Sequence, residues 1–251
     1  MKIAIIGSGN VAYHLAKALK GNQQNLVQIF GRNEVALKSI ADELDIPFST
    51  TELADADLYI ISISDSSVEE VSMRINKPDA IVAHTSGSLP KEILNGNYRK
   101  ASFYPLQTFS KTKDLDFKTI PFFIDAEDKD VEKVLVDLAS KMSNYVEVAD
   151  FEKRKYIHLT AVFACNFVNH LFARAKEISD SQKIPFDYFM PLIEETFDKI
   201  KSVNPKDAQT GPAVRNDKRI LELHKELLKN PEQLAIYNVM NTSIKEMYNL
   251  D

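Results

Sequence analysis

Two glycines stand close together near the start of the chain, in the sequence Gly-Ser-Gly-Asn-Val-Ala at positions 7–12. Gly7 permits a tight turn after an apolar run, Gly9 lets a phosphate approach the backbone, and Ala12 allows close packing of a following helix. The first N–H groups of that helix favour an anion at the same place. We therefore expect a dinucleotide pyrophosphate to contact residues Gly7, Ser8, Gly9, Asn10, Val11 and Ala12. The alternative is a structural turn without a ligand.

A candidate phosphate ligand, Arg32, follows the second apolar run in the sequence Ile-Phe-Gly-Arg-Asn. Proteins that bind NAD carry an Asp or Glu here for the ribose 2′-hydroxyl, and this chain has no carboxylate before Glu34. The guanidinium of Arg32 can bind a phosphate through two hydrogen bonds, and Asn33 can add another. The sequence therefore predicts NADP rather than NAD as the cofactor. The alternative is that Arg32 is a solvated surface residue.

Polar side chains follow the next two predicted strands, in the sequences ISISDSS and AHTSGSLP. In a doubly wound sheet these strand ends border the crevice in which the ligand binds. We expect Ser62, Ser64 and Ser86 to line the nucleotide site. His84 can transfer a proton to or from a substrate, and a buried histidine that is hydrogen-bonded in the core explains the residue equally well.

A stripe of polar residues runs along a long helix that is predicted after residue 150. At 100° per residue, Lys155, His158, Asn166 and Asn169 fall within one narrow sector of that helix. Such groups are costly to bury without partners. We expect them to face a cleft between domains, where His158 donates a proton and Asn166 orients the substrate. A satisfied polar network at a dimer interface is the alternative.

The last candidate site residue is Arg215, in the sequence TGPAVRNDK. The dipeptide Gly211-Pro212 interrupts the helical pattern, and a loop there could bring Arg215 to a substrate carboxylate. A plain connection between two helices is the alternative. We see no Gly-x-Ser-x-Gly elbow for a serine hydrolase and no cluster of residues that predicts a metal.

A parallel sheet is needed to bring these residues together. Apolar strands alternate with amphipathic helices through residues 1–149, which predicts a Rossmann domain with a doubly wound, mainly parallel α/β sheet. The pattern becomes helical from residue 150 to residue 251. We therefore expect a second, all-α domain over 150–251 that binds substrate and forms a dimer.

The composition narrows the classes of protein to which this chain can belong. The 251 residues carry a net charge of −5, which argues against a nucleic-acid partner. No apolar stretch approaches the roughly 18 residues of a membrane span. The only cysteine is Cys165, so no intrachain disulfide can form. We expect a cytoplasmic protein that acts on a small molecule.

Five motifs together resemble a known bacterial family: GSGNVA, AHTSGSLP, FYPLQTFS, YIHLTAVFACNFVNHLF and TGPAVRNDK. Its members join a Rossmann-like NADP-binding domain to a helical domain of unknown function. They are related to deazaflavin-dependent NADP oxidoreductases, to pyrroline-5-carboxylate reductases and to the 6-phosphogluconate dehydrogenase C-terminal-like superfamily. The resemblance covers nearly the whole chain, and it implies an NADP-binding domain and a homodimer formed by the helical domain.

Two positions depart from the pattern of that family. Members often have His-Pro where this chain has Tyr104-Pro105, and Arg-Gly-Asp where it has Arg215-Asn216-Asp217. The first departure weakens any transfer of the family's proton chemistry to Tyr104. The sequence thus predicts an NADP(H)-dependent oxidoreductase that acts on a small keto, imino or hydroxy compound bearing a carboxylate. The alternative is an NADP-binding sensor or partner protein without turnover.

Overall fold

The computed structural model describes residues 1–250, which form two compact units. The first unit is Met1–Phe167 and the second begins at Val168; each is described by itself. The sequence pattern changes from alternating to helical at residue 150. The first compact unit extends beyond that change, to Phe167, because the first part of the long helix belongs to it.

An eight-stranded sheet in the order β3-β2-β1-β4-β5-β6-β7-β8 forms the centre of the first unit. The strands are β1 (Lys2–Ile6), β2 (Asn25–Phe30), β3 (Phe48–Ser49), β4 (Leu58–Ile61), β5 (Ile81–His84), β6 (Arg99–Pro105), β7 (Phe122–Ala126) and β8 (Val146–Val148). The first six strands are parallel, whereas β7 runs antiparallel to β6. The predicted mainly parallel, Rossmann-like α/β fold is confirmed.

Helices cover both faces of this sheet. They are α1 (Asn10–Gly21), α2 (Glu34–Leu44), α3 (Val68–Ser72) and α4 (Lys129–Met142). Strand β1 shows why two covering layers are needed: Ile3 and Ile5 are buried in the core that includes α1, while Ala4 and Ile6 are buried in the core on the other face. A strand buried on both faces is a continuous apolar run, as the sequence KIAII shows.

The carboxyl ends of the parallel strands lie along one edge of the sheet, where the loops after β1, β2, β4 and β5 emerge. Strand β1 lies between β2 and β4, so the order of the strands changes direction beside it. Ligands of open α/β sheets bind outside the carboxyl ends of the strands at this kind of position. The fold therefore brings the glycine turn, Arg32, Ser62 and Ser86 to the same edge.

The long helix that was predicted after residue 150 has three parts. Helix α5 (Phe151–Ala161) begins at Asp150, whose side chain accepts a hydrogen bond from the Lys153 N–H at 2.8 Å. A π-helical segment, Val162–Phe167, follows and ends the first unit. Helix α6 (Val168–Ser181) begins the second unit.

The second unit is helical throughout its described residues, as predicted. After α6 it contains α7 (Met190–Lys199), α8 (Pro205–Ala208), α9 (Lys218–Leu227) and α10 (Pro231–Met247). Asn230 caps α10 by accepting a hydrogen bond from the Glu232 N–H at 2.8 Å. Across residues 1–250, no helix has the length and apolar character that a membrane crossing requires.

Candidate functional site

Gly7 occupies a place that no other residue type can fill. Its φ of +140° is unfavourable for residues with a side chain, and a Cβ atom there would lie 2.1 Å from the Ser62 carbonyl oxygen. The Gly7 N–H also donates to the Phe30 carbonyl at 2.7 Å. The turn after β1 is thus held against the ends of both neighbouring strands.

Gly9 lies in open space, in contrast to Gly7. It is the N-cap residue of α1, no side chain caps that helix, and no atom lies within 4 Å of the position that a Cβ would take. Ala12, one turn into the helix, is fully buried. The first N–H groups of α1 therefore have no side-chain partner, and the backbone leaves room for a phosphate beside them.

Arg32 and Asn33 follow β2 at the same edge, and both are exposed. Asn33 caps α2, because its Oδ1 atom accepts a hydrogen bond from the Ala36 N–H at 3.1 Å. This contact leaves the Asn33 amide group free to donate. The Arg32 guanidinium forms no hydrogen bond or ion pair with the residues that the structure describes. Both side chains are therefore available to a 2′-phosphate.

The three predicted serines take different roles. Ser62 is buried, and its hydroxyl accepts a hydrogen bond from the Thr85 hydroxyl at 3.3 Å. Ser64 is exposed and bonds to the Ser67 hydroxyl. Ser86 donates to Asp65 at 2.9 Å, which links the loops after β4 and β5. Ser64 and Ser86 remain accessible, whereas Ser62 offers the site mainly its backbone.

His84 is fully buried at the end of β5, and the geometry favours the core alternative. Its Nδ1 atom accepts the Ser86 N–H at 3.2 Å, so Nε2 carries the ring proton and donates to the Pro90 carbonyl at 3.3 Å. Burial, assisted by the positive charge of Arg154, lowers the pKa of His84 to about 4. A neutral ring with both nitrogens occupied is a poor proton donor.

Tyr104 and His158 form a polar pair, which the sequence did not indicate. The Tyr104 hydroxyl lies 3.1 Å from the Nδ1 atom of His158. Burial raises the pKa of Tyr104 to about 12, so this hydroxyl keeps its proton. A Cβ atom at Gly87 would lie 2.7 Å from Tyr104 Cζ and 2.8 Å from His158 Nδ1. Glycine at position 87 therefore permits the pair to form.

A cavity of about 910 Å³ lies beside this pair, entirely within the first unit. It extends from Val11, at the start of α1, to Tyr104 and His158. Asn166 of the π-helical segment also lines it. Most of the remaining wall is apolar, from Pro105, Leu106, Phe109, Ile157, Ala161 and Val162. Such a cavity suits a small molecule with an apolar body and few polar groups.

Only part of the predicted polar stripe lines this cavity. His158 and Asn166 do, whereas the Lys155 ammonium pairs with Glu152 at 2.7 Å and Asn169 belongs to the second unit. The projection assumed 100° per residue along the whole helix. The π-helical segment after Ala161 winds more residues into each turn, so that assumption fails beyond it.

A buried ion cluster supports the loop that contains Gly87. The guanidinium of Arg154, fully buried, donates to Asp125 at 3.0 Å and to the Leu89 carbonyl at 2.6 Å. The ammonium of Lys91 lies 2.8 Å from the other carboxylate oxygen of Asp125. This cluster could not be predicted from the sequence, because Arg154 stands in the charged run FEKRK, which resembles a solvated helix face.

Arg215, the predicted carboxylate ligand, lies in the second unit, just before α9. Its side chain is exposed, and its backbone N–H donates to the Gly211 carbonyl at 3.4 Å. Its contact with a substrate remains a prediction. Within residues 1–250, His, Cys, Asp and Glu form no group of three or more that could hold a metal ion.

Comparison with known proteins identifies the family. The model described as "NADP oxidoreductase coenzyme F420-dependent" matches residues 2–86, and "Domain of unknown function (DUF2520)" matches residues 120–244. A solved structure named "putative NADP oxidoreductase", from Bacteroides fragilis, is 40% identical, with 98% of each chain covered and a TM-score of 0.93. The chain belongs to this family. Membership supports a cofactor of the nicotinamide type.

More distant structures share the fold of this family. A Thermotoga maritima protein is 22% identical with a TM-score of 0.83, covering 98% of this chain and 99% of its own. A 1-pyrroline-5-carboxylate reductase from Streptococcus pyogenes is 14% identical with a TM-score of 0.63, covering 100% and 99%. At these identities the likeness extends to the fold alone. No curated protein matches the sequence.

Proposed function

We propose that the protein is an NADP(H)-dependent oxidoreductase that acts on a small keto, imino or hydroxy compound bearing a carboxylate. The cavity carries this proposal, because it joins the two groups of residues that such a reaction needs. Val11 of the glycine turn forms one part of its wall, and the Tyr104–His158 pair forms another.

The glycine turn is suited to hold the cofactor. The backbone N–H groups at the start of α1 would bind the pyrophosphate, beside the open space at Gly9. Arg32 and the free amide group of Asn33 would bind the 2′-phosphate, which NADP has and NAD lacks. The cofactor supplies a hydride when bound, and the protein supplies orientation and a proton.

The Tyr104–His158 pair is suited to move that proton. A keto or imino group takes up one proton at its oxygen or nitrogen when it is reduced. Protonated His158 would donate from Nε2, while its Nδ1–H bonds to the Tyr104 oxygen. After the transfer Nε2 is bare and Nδ1 keeps its proton, so the Nδ1–H continues to donate to the Tyr104 oxygen. The 3.1 Å contact can thus serve both protonation states of His158.

The apolar walls of the cavity would bind the body of the substrate, and Asn166 would orient its polar group. Lys153 also lines the cavity, but its ammonium already pairs with Glu147. Arg215 stays the predicted ligand for a carboxylate of the substrate. We also propose a cytoplasmic homodimer that forms through the helical unit, since many apolar side chains of that unit are exposed.

Paired fluorescence titrations with NADPH and NADH test the proposal. We expect NADPH to bind at least about tenfold more tightly than NADH, a difference of about 1.4 kcal/mol. The Arg32→Gln variant should lose that preference. If neither nucleotide binds the wild-type protein, the proposed function is wrong.

A screen of keto and imino acids with NADPH then tests turnover. The variants His158→Gln and Asn166→Ala should bind NADPH normally and lose turnover. Retention of turnover by the His158→Gln variant would exclude the proposed proton donor. Nucleotide binding with no turnover on any compound would favour the alternative, a sensor protein.

A further inference from the structure

The loop between β6 and β7, residues 106–121, lies along α1 and reaches the glycine turn. The Asn10 side chain donates to the Phe109 carbonyl at 2.8 Å, and His14 Nε2 lies 2.8 Å from the Ser110 carbonyl. The Lys17 ammonium pairs with Asp114 at 2.5 Å. These three side chains lie along one face of α1, so they fix the course of the β6–β7 loop.

This arrangement places a cation beside the glycine turn. The Lys111 ammonium donates to the Ser8 carbonyl at 3.0 Å and lies 5.8 Å from the centre of the Tyr13 ring. The turn itself, residues 7–12, contains no charged side chain. Lys111 is exposed, so the packing of the core does not depend on it.

The chemistry of an ammonium suits a phosphate at this place. A lysine has three N–H donors, and the contact with Ser8 uses one of them. The helix N-terminus offers only partial positive charge, whereas Lys111 adds a full charge at the same turn. The match to the NADP oxidoreductase model covers residues 2–86, which include this turn, and independently supports a nucleotide ligand.

We propose that Lys111 binds the pyrophosphate of the dinucleotide, as a cationic ligand supplied by the β6–β7 loop. The inference rests on the proposed function. It assigns different phosphates to the two cations: Arg32 contacts the 2′-phosphate and Lys111 contacts the pyrophosphate. The same loop contributes Phe109 to the cavity, so it connects the nucleotide site with the substrate site.

Nucleotide selectivity distinguishes the two assignments. The Lys111→Gln variant should bind both NADPH and NADH about tenfold more weakly, because both contain the pyrophosphate. Its preference for NADPH should therefore stay at the wild-type ratio. The Arg32→Gln variant should weaken NADPH alone. The Lys111→Arg variant, which keeps the charge, should regain most of the affinity.

Lys113 provides the matched control. It lies on the same loop, is exposed, and its side chain forms no hydrogen bond or ion pair with the described residues. The Lys113→Gln variant loses the same charge and should bind both nucleotides as the wild type does. Equal affinities for the Lys111→Gln and Lys113→Gln variants would overturn the assignment. A wild-type protein that binds neither nucleotide would instead refute the proposed function.

Discussion

At the scale of single residues, burial decides which histidine is suited to chemistry. His84 has no exposed surface and gives both ring nitrogens to backbone groups. His158 lines the cavity and gives Nδ1 to a tyrosine, so Nε2 remains for a substrate. The sequence made both residues candidate proton donors. Their surroundings, rather than their type, separate a structural role for His84 from the proposed catalytic role of His158.

The depressed pKa of His84 predicts a stability that depends on pH. In the unfolded chain His84 takes up a proton near pH 6.5, whereas the folded protein keeps it neutral down to about pH 4. The contribution of neutral His84 to the free energy of unfolding is complete above pH 6.5. It is lost as the pH falls towards 4, which lowers the free energy of unfolding by about 3 kcal/mol in total. Urea denaturation across this range should show the decline in the wild type.

A His84→Gln variant should show a shallower decline than the wild type over the same pH range. The His170→Gln variant, at an exposed histidine of the second unit, is the control and should follow the wild-type curve. Identical slopes for the wild type and the His84→Gln variant would show that His84 is protonated in the folded protein.

The close contacts of Gly87 with Tyr104 and His158 predict that a side chain at this position would impair turnover. An alanine there would place its Cβ within 3 Å of both Tyr104 and His158, which must then move apart. We expect the Gly87→Ala variant to lose at least about tenfold in kcat while NADPH affinity stays near the wild-type value. A shift of the His158 ring signal in NMR would report the change without any substrate.

The control for this prediction is Gly21→Ala. Gly21 ends α1, and no atom lies within 4 Å of the position that its Cβ would take. This variant should keep both the wild-type kcat and the wild-type His158 signal. Unchanged values for the Gly87→Ala variant would contradict the role of the Tyr104–His158 pair.

At the scale of elements, the buried ion cluster joins three parts of the first unit. Arg154 comes from α5, Asp125 from β7, and Leu89 from the loop after β5 that contains Gly87. Arg154 lies one helical turn before His158. Helix α5 therefore carries both the residue that holds the Gly87 loop and the candidate proton donor. The cluster therefore holds the Gly87 loop in place beside α5.

Loss of the carboxylate should destabilise the protein strongly. The Asp125→Asn variant leaves a buried guanidinium beside Lys91 without a counter-charge. We expect its free energy of unfolding to fall by about 3–5 kcal/mol in urea denaturation. The control is Asp114→Asn in the exposed pair with Lys17, where we expect less than about 1 kcal/mol. Equal losses in the two variants would contradict this role of burial.

At the scale of the whole molecule, the second unit leaves many apolar side chains exposed. Examples are Tyr188 at 74%, Leu192 at 65%, Leu227 at 67% and Val239 at 67% of their accessible surface. Extensive exposed apolar surface commonly marks a contact between proteins. This exposure supports the proposed homodimer.

The proposed dimer predicts that light scattering will give a mass in solution of twice the monomer mass. The double variant Leu192→Lys, Val239→Lys should shift the protein towards monomer, because a lysine is costly to bury in an apolar interface. The control is Val35→Lys on α2 of the first unit, where the valine is 82% exposed. A wild-type protein that stays monomeric at micromolar concentration would refute the proposed dimer.

Local patterns in the sequence were sufficient to predict the fold. The apolar runs KIAII and LYII became strands buried on both faces, and the spacing of the helical segments gave the crossover helices. The glycine turn could also be predicted, because its sequence signature lies within residues 7–12. The composition change near residue 150 predicted the helical region for the same reason. Each of these features depends on neighbours in the sequence.

Contacts between distant residues were decided only by the tertiary structure. Tyr104 meets His158, Asp125 meets Arg154, and Lys111 meets Ser8, in each case across many intervening residues. The burial of Arg154 could not be read from a charged run, because it depends on the strand and the loop that cover it. The π-helical segment likewise changed the faces of the long helix. Sequence periodicity describes one element, whereas burial and pairing depend on how several elements pack.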